Sequence, residues 1–309
     1  MSAIDWLLES EEPGVVLQVK RDLLGEQDPP EAARVLDGPR VRALLAGQQA
    51  DGGFGVNVYG KWGGAHWRLV SLVELGVPAG EERCVAAAET VLAWLTGKSH
   101  RAAVKSINGL VRRCGSQEGN ALAVCCRLGL AGDPRVQLLA ESLVEWQWPD
   151  GGWNCDKNAT GRRSSFNESL APMWGLHEYW AATGETAAKE AAARTAELFL
   201  DHRLFRVGGK GEPIRPSFVA LHYPPYWHYD ILQALVVLSR MGLARDPRAQ
   251  DAVELIEGRR LADGRWRAGR RWWKPPGAKG GNVEVVDWGR SGQNEMVTLN
   301  ALRVLNTAK

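Results

Sequence analysis

Three short stretches of the chain share one pattern: GQQADGGFG (47–55), EWQWPDGGWNCD (145–156) and GRRLADGRWRAG (258–269). Each holds a Gln or Arg, then Asp-Gly, one further residue and an aromatic. Asp-Gly makes a tight turn, because glycine takes a positive φ without penalty and Asp accepts from its own downstream backbone. The aromatic can fold back over the turn onto the end of the preceding helix, and the glutamine can cap backbone groups exposed there. A fastener that recurs between apolar stretches restricts the chain to repeated helix–turn units.

The apolar stretches bear this out at the level of periodicity. Six runs are apolar over most of a helical circumference: 14–25, 65–76, 119–129, 165–184, 227–242 and 293–306. That is the mark of helices buried on several sides. More one-sided helical patterns lie near 39–49, 81–96, 134–147, 185–202 and 247–260. LGVPAG, LGLAGDPR and MGLARDPR join members of the two sets, and Asp-Pro is a favoured helix start. Buried and amphipathic helices alternating at roughly 50 to 65 residues match repeat folds. The expected class is all-α, an (α/α)6 barrel or toroid with six inner and about six outer helices. It is expected to form one domain over 1–309, with no confident strand.

Composition excludes several functions. An apolar fraction of 45% with 24% charged residues and a net charge of +2 gives no electrostatic reason to expect a nucleic-acid partner. Arg259-Arg260 and Arg270-Arg271 are short enough to be solvated faces. No stretch is long and apolar enough to span a bilayer, and MSAIDWLLESEEPG lacks a signal-peptide pattern, so a cytoplasmic location is expected. Five cysteines without a CxxC pair support neither a disulfide framework nor a zinc ribbon. The anomaly is 14 Trp against 5 Phe and 5 Tyr, which suits a lined cavity or a repeated packing device.

In an α/α barrel successive inner helices run the same way, so their N-termini converge. At those starts stand His66 and Trp67; Glu118 and Asn120; Asn167 and Glu168; His228, Tyr229 and Asp230; Asn294 and Glu295. The DGGWNCD loop adds Cys155 and Asp156, which do not recur after the other fasteners. Helix N-termini favour anions and carboxylates, so each acid alone is explained by capping. Their convergence with two imidazoles and a thiol is what marks a site. Two chemistries fit the set. Cys155, Glu168 (or Asp156), His66 and His228 offer ligand types for a zinc-like divalent metal, with Cys155, Glu168 and His228 as the narrower set. Asp230 and Glu168 with His228 offer an acid/base pair.

The fasteners, with YGKWGGAHWRLVSLVELGV, PDGGWNCD, SSFNESL, HRLFR and YPPYWHYDILQAL followed by RRLADGRW, resemble the terpenoid-cyclase and protein-prenyltransferase superfamily with its QW-type repeats. The resemblance is nearest to small bacterial single-domain, squalene-cyclase-like members, and runs nearly end to end. It implies the toroid and an isoprenoid or similar apolar substrate. Neither DxDD nor DDxxD, the acid motifs of terpene cyclases and synthases, occurs here. Prenyltransferase β chains hold zinc with Asp, Cys and His. The segment DKNATGRRSSFNE resembles that region, with Glu168 at about the His position, and Asn167 stands where small relatives have a His after SSF.

Three functions follow. In an isoprenoid enzyme, Trp62, Trp67, Trp153, Trp174, Trp227 and Tyr229 would stabilise a carbocation, with Asp230 or Asp156 as the acid. A non-catalytic toroid would use its concave mouth to bind a ligand or partner. A carbohydrate-active α/α barrel would pair two carboxylates with sugar-stacking tryptophans. A deep apolar cavity favours the first and an open wet groove the last. The Gly-, Pro- and Trp-rich stretch 271–292 is a candidate lid, with the turn at 208–213 as the opposite lip.

Overall fold

The computed structural model describes residues 1–289 and 292–308. Most of these residues are helical, and the class is all-α. The helices are α1 (Ala3–Leu8), α2 (Pro13–Leu23), α3 (Pro39–Leu45), α4 (Ala65–Glu74), α5 (Glu82–Thr96), α6 (Lys98–Ala102), α7 (Gly115–Arg127), α8 (Pro134–Trp146), α9 (Phe166–Thr183), α10 (Thr186–Asp201), α11 (Ile231–Arg240), α12 (Gln250–Glu257) and α13 (Glu295–Thr307). Short 3-10 turns cover Pro30–Asp37, Pro216–Val219 and Pro247–Ala249. The expectation of no strand is corrected by two small antiparallel hairpins, β1 (Lys105–Ile107) with β2 (Leu110–Arg112) and β3 (Arg206–Val207) with β4 (Lys210–Pro213). Strands this short carry too little alternation to be legible.

The six all-round apolar runs fall on α2, α4, α7, α9, α11 and α13, and the one-sided runs on α3, α5, α8, α10 and α12. Helix α13 packs on α2 and α11, α7 packs on α4 and α9, and α9 touches α11. Their ends correspond. Glu168 at the start of α9 bonds Ser116 at the start of α7, while Glu74, Arg127 and Arg240 meet at the C-terminal ends of α4, α7 and α11. Helices α4, α7, α9 and α11 therefore run in the same direction.

Close packing between α7 and α9 depends on glycine. A Cβ on Gly119 would lie 2.3 Å from the Pro172 nitrogen, and one on Gly175 would lie 2.4 Å from the Gly119 carbonyl oxygen. The two backbones touch directly, which explains glycine inside both helices despite its poor helix propensity.

The three fasteners share one bonding scheme. In each, a backbone N–H reaches across the turn to a carbonyl four residues on: Gln49 to Gly53, Trp148 to Gly152 and Leu261 to Arg265. The second and third also match in their aromatics. Trp153 Nε1 donates to the Leu143 carbonyl in α8 at 3.0 Å, and Trp266 Nε1 to the Ile256 carbonyl in α12 at 2.7 Å. Gln147 Nε2 bonds both the Gly151 and Ala191 carbonyls at 2.8 Å, tying the turn to α10. Gln48 does the same between Gly52 and Arg83. Among the described residues, no helix is long and apolar enough to cross a membrane.

Candidate functional site

A parallel bridge between Arg112, ending β2, and Asn154, just after the second fastener, brings two distant segments together. Cys155 follows Asn154 directly, and Cys114, two residues after Arg112, stands at the N-cap of α7. The close α7–α9 contact adds Glu168 from the first turn of α9. The ligand atoms of Cys114, Cys155 and Glu168 all lie within 4.8 Å of one another. Among the described residues this is the cluster of donor side chains with metal-ligand spacing.

Its chemistry is set by neighbours. Glu168 Oε2 accepts from Ser116 N at 3.1 Å and from Ser116 Oγ at 2.8 Å, leaving Oε1 to face Cys155 Sγ at 3.5 Å. Ser116 thus orients the carboxylate, as outer groups orient metal ligands. Burial raises the Glu168 pKa despite the Ser116 bonds. Hydrogen bonding from Cys114 lowers that of Cys155, and the same contact, with burial, raises that of Cys114. Cys155 is therefore the thiol that ionises first, which makes it the stronger nucleophile or ligand. Two thiols and a carboxylate fit a zinc-class ion, with a fourth position left for a substrate atom.

Of the metal set expected from sequence, Cys155 and Glu168 meet and Cys114 completes them; His228 does not join. Its ring stacks between Trp227 and Trp272, with centroids 3.9 Å away on each side. Burial, His222, Lys61 and Arg270 push its pKa down to about 2. His66 is also buried, edge-on to Trp67 at 4.6 Å, with its pKa pushed down to about 3 by burial and by His100. Both imidazoles are neutral. Asp156 is exposed and accepts from Asn158 N at 2.9 Å, a turn-forming role that keeps it out of the cluster.

Other expected residues hold structure. Asp230 is fully buried and caps α11, accepting from Gln233 N at 2.9 Å and from His222 N at 2.7 Å. We expect Asp230→Ala to cost about 2 kcal/mol in denaturant unfolding, since both N–H groups lose their partner. A cost near zero would show that neither bond contributes. Glu118 Oε1 pairs with His100 Nε2 at 2.9 Å and Arg113 Nε at 3.1 Å. Asn294 caps α13 through Val297 N at 2.9 Å, and Glu295 pairs with Arg40. The Tyr229 hydroxyl donates to the Leu204 carbonyl at 2.6 Å, with Phe166, Phe199 and Phe218 packed around the ring.

A cavity of about 30 Å³ lies between α7, α9, α11 and the 225–227 loop. Asn120, Asn167, Trp174 and Trp227 line it, with Tyr226, Leu170, Glu74 and Arg240. Asn120 Nδ2 donates to the Tyr226 carbonyl at 3.0 Å, and Asn167 Oδ1 accepts from Tyr229 N at 2.8 Å, so both amides fix the loop. Trp62 stacks on Tyr226 at 4.4 Å, behind that wall, and Trp67 packs edge-on to Trp62 at 4.9 Å. Trp153 serves its fastener instead. The volume has room for one or two water molecules.

The stretch expected as a lid, 271–292, includes residues 290 and 291, which lie outside the described residues. Its described part is held against the 223–228 loop. Trp273 Nε1 donates to the Tyr223 carbonyl at 3.1 Å, Trp62 N to the Val283 carbonyl at 3.2 Å, and the Tyr226 hydroxyl to Glu284. Glu284 is 2% exposed and has no cation within ion-pair distance among the described residues. Burial pushes its pKa up to about 7. Sequence reasoning missed both Cys114 and Glu284. Cys114 is the N-cap residue of α7, five residues before the apolar run 119–129, so the helix-start signal that selected Glu118 and Asn120 stopped short of it. Glu284 sits in VEVV, the one apolar patch of its loop. Comparison with family models, with curated proteins and with solved structures gives no match.

Proposed function

We propose that the chain is a prenyltransferase- or terpenoid-cyclase-like enzyme on an (α/α)6 toroid, with its reacting centre at Cys114, Cys155 and Glu168. The observation that carries this reading is the convergence of two thiols and an oriented carboxylate at the start of two inner helices. Five of the six neighbour pairings that a ring needs are present, from α4 through α7, α9, α11 and α13 to α2, and Gly14 of α2 approaches the Leu75 carbonyl just after α4, which supports the toroid.

When bound, a zinc-class ion supplies Lewis-acid activation of a thiol or water at its open position. Ser116 holds the Glu168 carboxylate so that one oxygen faces the thiols. Cys155, the more acidic thiol, gives up its proton first. Trp174 and Trp227 line the cavity and would offer aromatic surface to developing positive charge in an apolar substrate. An isoprenoid chain exceeds the cavity's present volume, so binding requires lining residues such as Trp227, which stacks on His228, to move.

The test is turnover of a panel of prenyl diphosphates and acyclic polyenes by zinc-supplemented protein. The reading expects product with wild type and at least a hundredfold loss in Cys155→Ala. No product from any member of the panel, with metal demonstrably bound, would sink it. The small cavity specifically favours a second reading, a toroid that binds a ligand or partner without catalysis. In that case metal is bound and no substrate of the panel turns over. Trp62, Trp67 and Trp153 are buried rather than arrayed along a groove, so sugar stacking gains no support from them.

A further inference from the structure

At the opposite end of the parallel helices from the thiols lies a cavity of about 390 Å³. It is lined by four guanidinium groups, Arg21, Arg127, Arg240 and Arg303, against two carboxylates, Asp22 and Glu178, with the buried Glu74 behind Arg127 and Arg240, which leaves an excess of one positive charge. His177 also lines it, and burial lowers its pKa, so it adds no charge at neutral pH.

Cations near helix C-termini are ordinary, because they complement the negative end of the dipole. That explains each arginine singly. It does not explain why arginines from α2, α7, α11 and α13 face one cavity with their donors incompletely used. Arg127 directs Nε and Nη2 onto a single oxygen, Glu178 Oε1, at 3.0 and 2.9 Å. Arg240 makes one side-chain hydrogen bond, Nη2 to Glu74 Oε1 at 3.2 Å. Arg303 reaches Gln18 at 2.7 Å, Asn300 at 3.0 Å and Asp22, yet its buried Nε has no partner among the described residues. A guanidinium is planar with five donors in a fixed fork, suited to bidentate contact with oxyanions. Buried donors without partners are costly unless a ligand supplies acceptors.

We propose that this cavity binds a small multivalent oxyanion, of the diphosphate or tricarboxylate class, through Arg240, Arg303 and Arg127, with Arg21 at the rim. The site is independent of the thiol centre.

The experiment is calorimetric titration of the full chain with inorganic diphosphate, and separately with citrate, at ionic strength held constant with sodium chloride. Saturable binding of either ion is expected, and their relative affinities separate phosphoryl from carboxylate ligands. Arg240→Gln should weaken binding roughly tenfold or more, the worth of a charge-assisted hydrogen bond. Arg21, 55% exposed, is the second variant. Arg21→Gln should fold normally and weaken binding by about threefold through lost charge alone, so the test survives if Arg240→Gln does not fold. Binding should persist in Cys155→Ala. Three results each overturn the proposal: no saturable heat from either ion, affinity unchanged in the arginine variants, or loss of binding in Cys155→Ala, which would place the anion at the thiols.

Discussion

Replacing Gly119 with alanine is expected to cost at least about 3 kcal/mol of folding stability. The added methyl would sit 2.3 Å from the Pro172 nitrogen and 2.4 Å from the Ala171 carbonyl carbon. Both are backbone atoms of α9, so no rotamer change can relieve the clash and the helices must separate. Alanine's better helix propensity returns at most about 1 kcal/mol. Separation would also move Ser116 away from Glu168, so the thiol–carboxylate cluster should loosen with the fold. Gly132→Ala is the control, because nothing lies within 4 Å of a Cβ there. Urea denaturation of both variants checks this. A Gly119→Ala protein as stable as Gly132→Ala would mean that α7 and α9 do not pack backbone to backbone.

The second large effect is pH dependence anchored on Glu284. Its folded pKa is raised to about 7 from an ordinary 4.5, with burial the first cause. Between these values the unfolded chain has released the proton and the folded chain retains it. Stability from this group is therefore fully present below about pH 4.5, falls as pH rises to about 7, and is level above that. The loss amounts to about 3 kcal/mol. His66 and His228 act in the opposite direction. Their folded pKa values are depressed, so stability falls as pH drops from about 6.5 toward their folded values. The Glu284 contribution is best read as the difference between wild type and Glu284→Gln. That difference should favour the glutamine increasingly from pH 5 to pH 7. Hydrogen-exchange protection factors in the 283–289 segment, corrected for base-catalysed intrinsic exchange, should fall over the same interval in wild type only. A difference independent of pH would show that Glu284 is not held protonated against Tyr226.

Local chemistry explains what was legible in the sequence. The turns at 48–53, 147–152 and 260–265 were readable because Asp-Gly followed by an aromatic dictates their bonds without distant partners. The six buried helices were readable because an apolar run leaves little choice of face. Cys155 and Glu168 stood out because neither the fastener nor capping accounted for both. Cys114 did not, because it reaches Cys155 through the Arg112–Asn154 bridge, a pairing between segments that no periodicity encodes. His228 was drawn into the site by its place near a helix start. Trp272, far along the chain, takes its other face and leaves it a packed neutral ring. The arginines at the helix C-termini escaped notice because each has an ordinary explanation where it stands.

The central claim is that Cys114, Cys155 and Glu168 hold a metal ion. The most direct test is elemental analysis of untagged protein purified under reducing conditions and supplied with zinc, beside Cys114→Ala and Cys155→Ala. The account predicts about one zinc per chain in wild type, with loss from both variants. No zinc in wild type, or zinc retained equally in both variants, would contradict it.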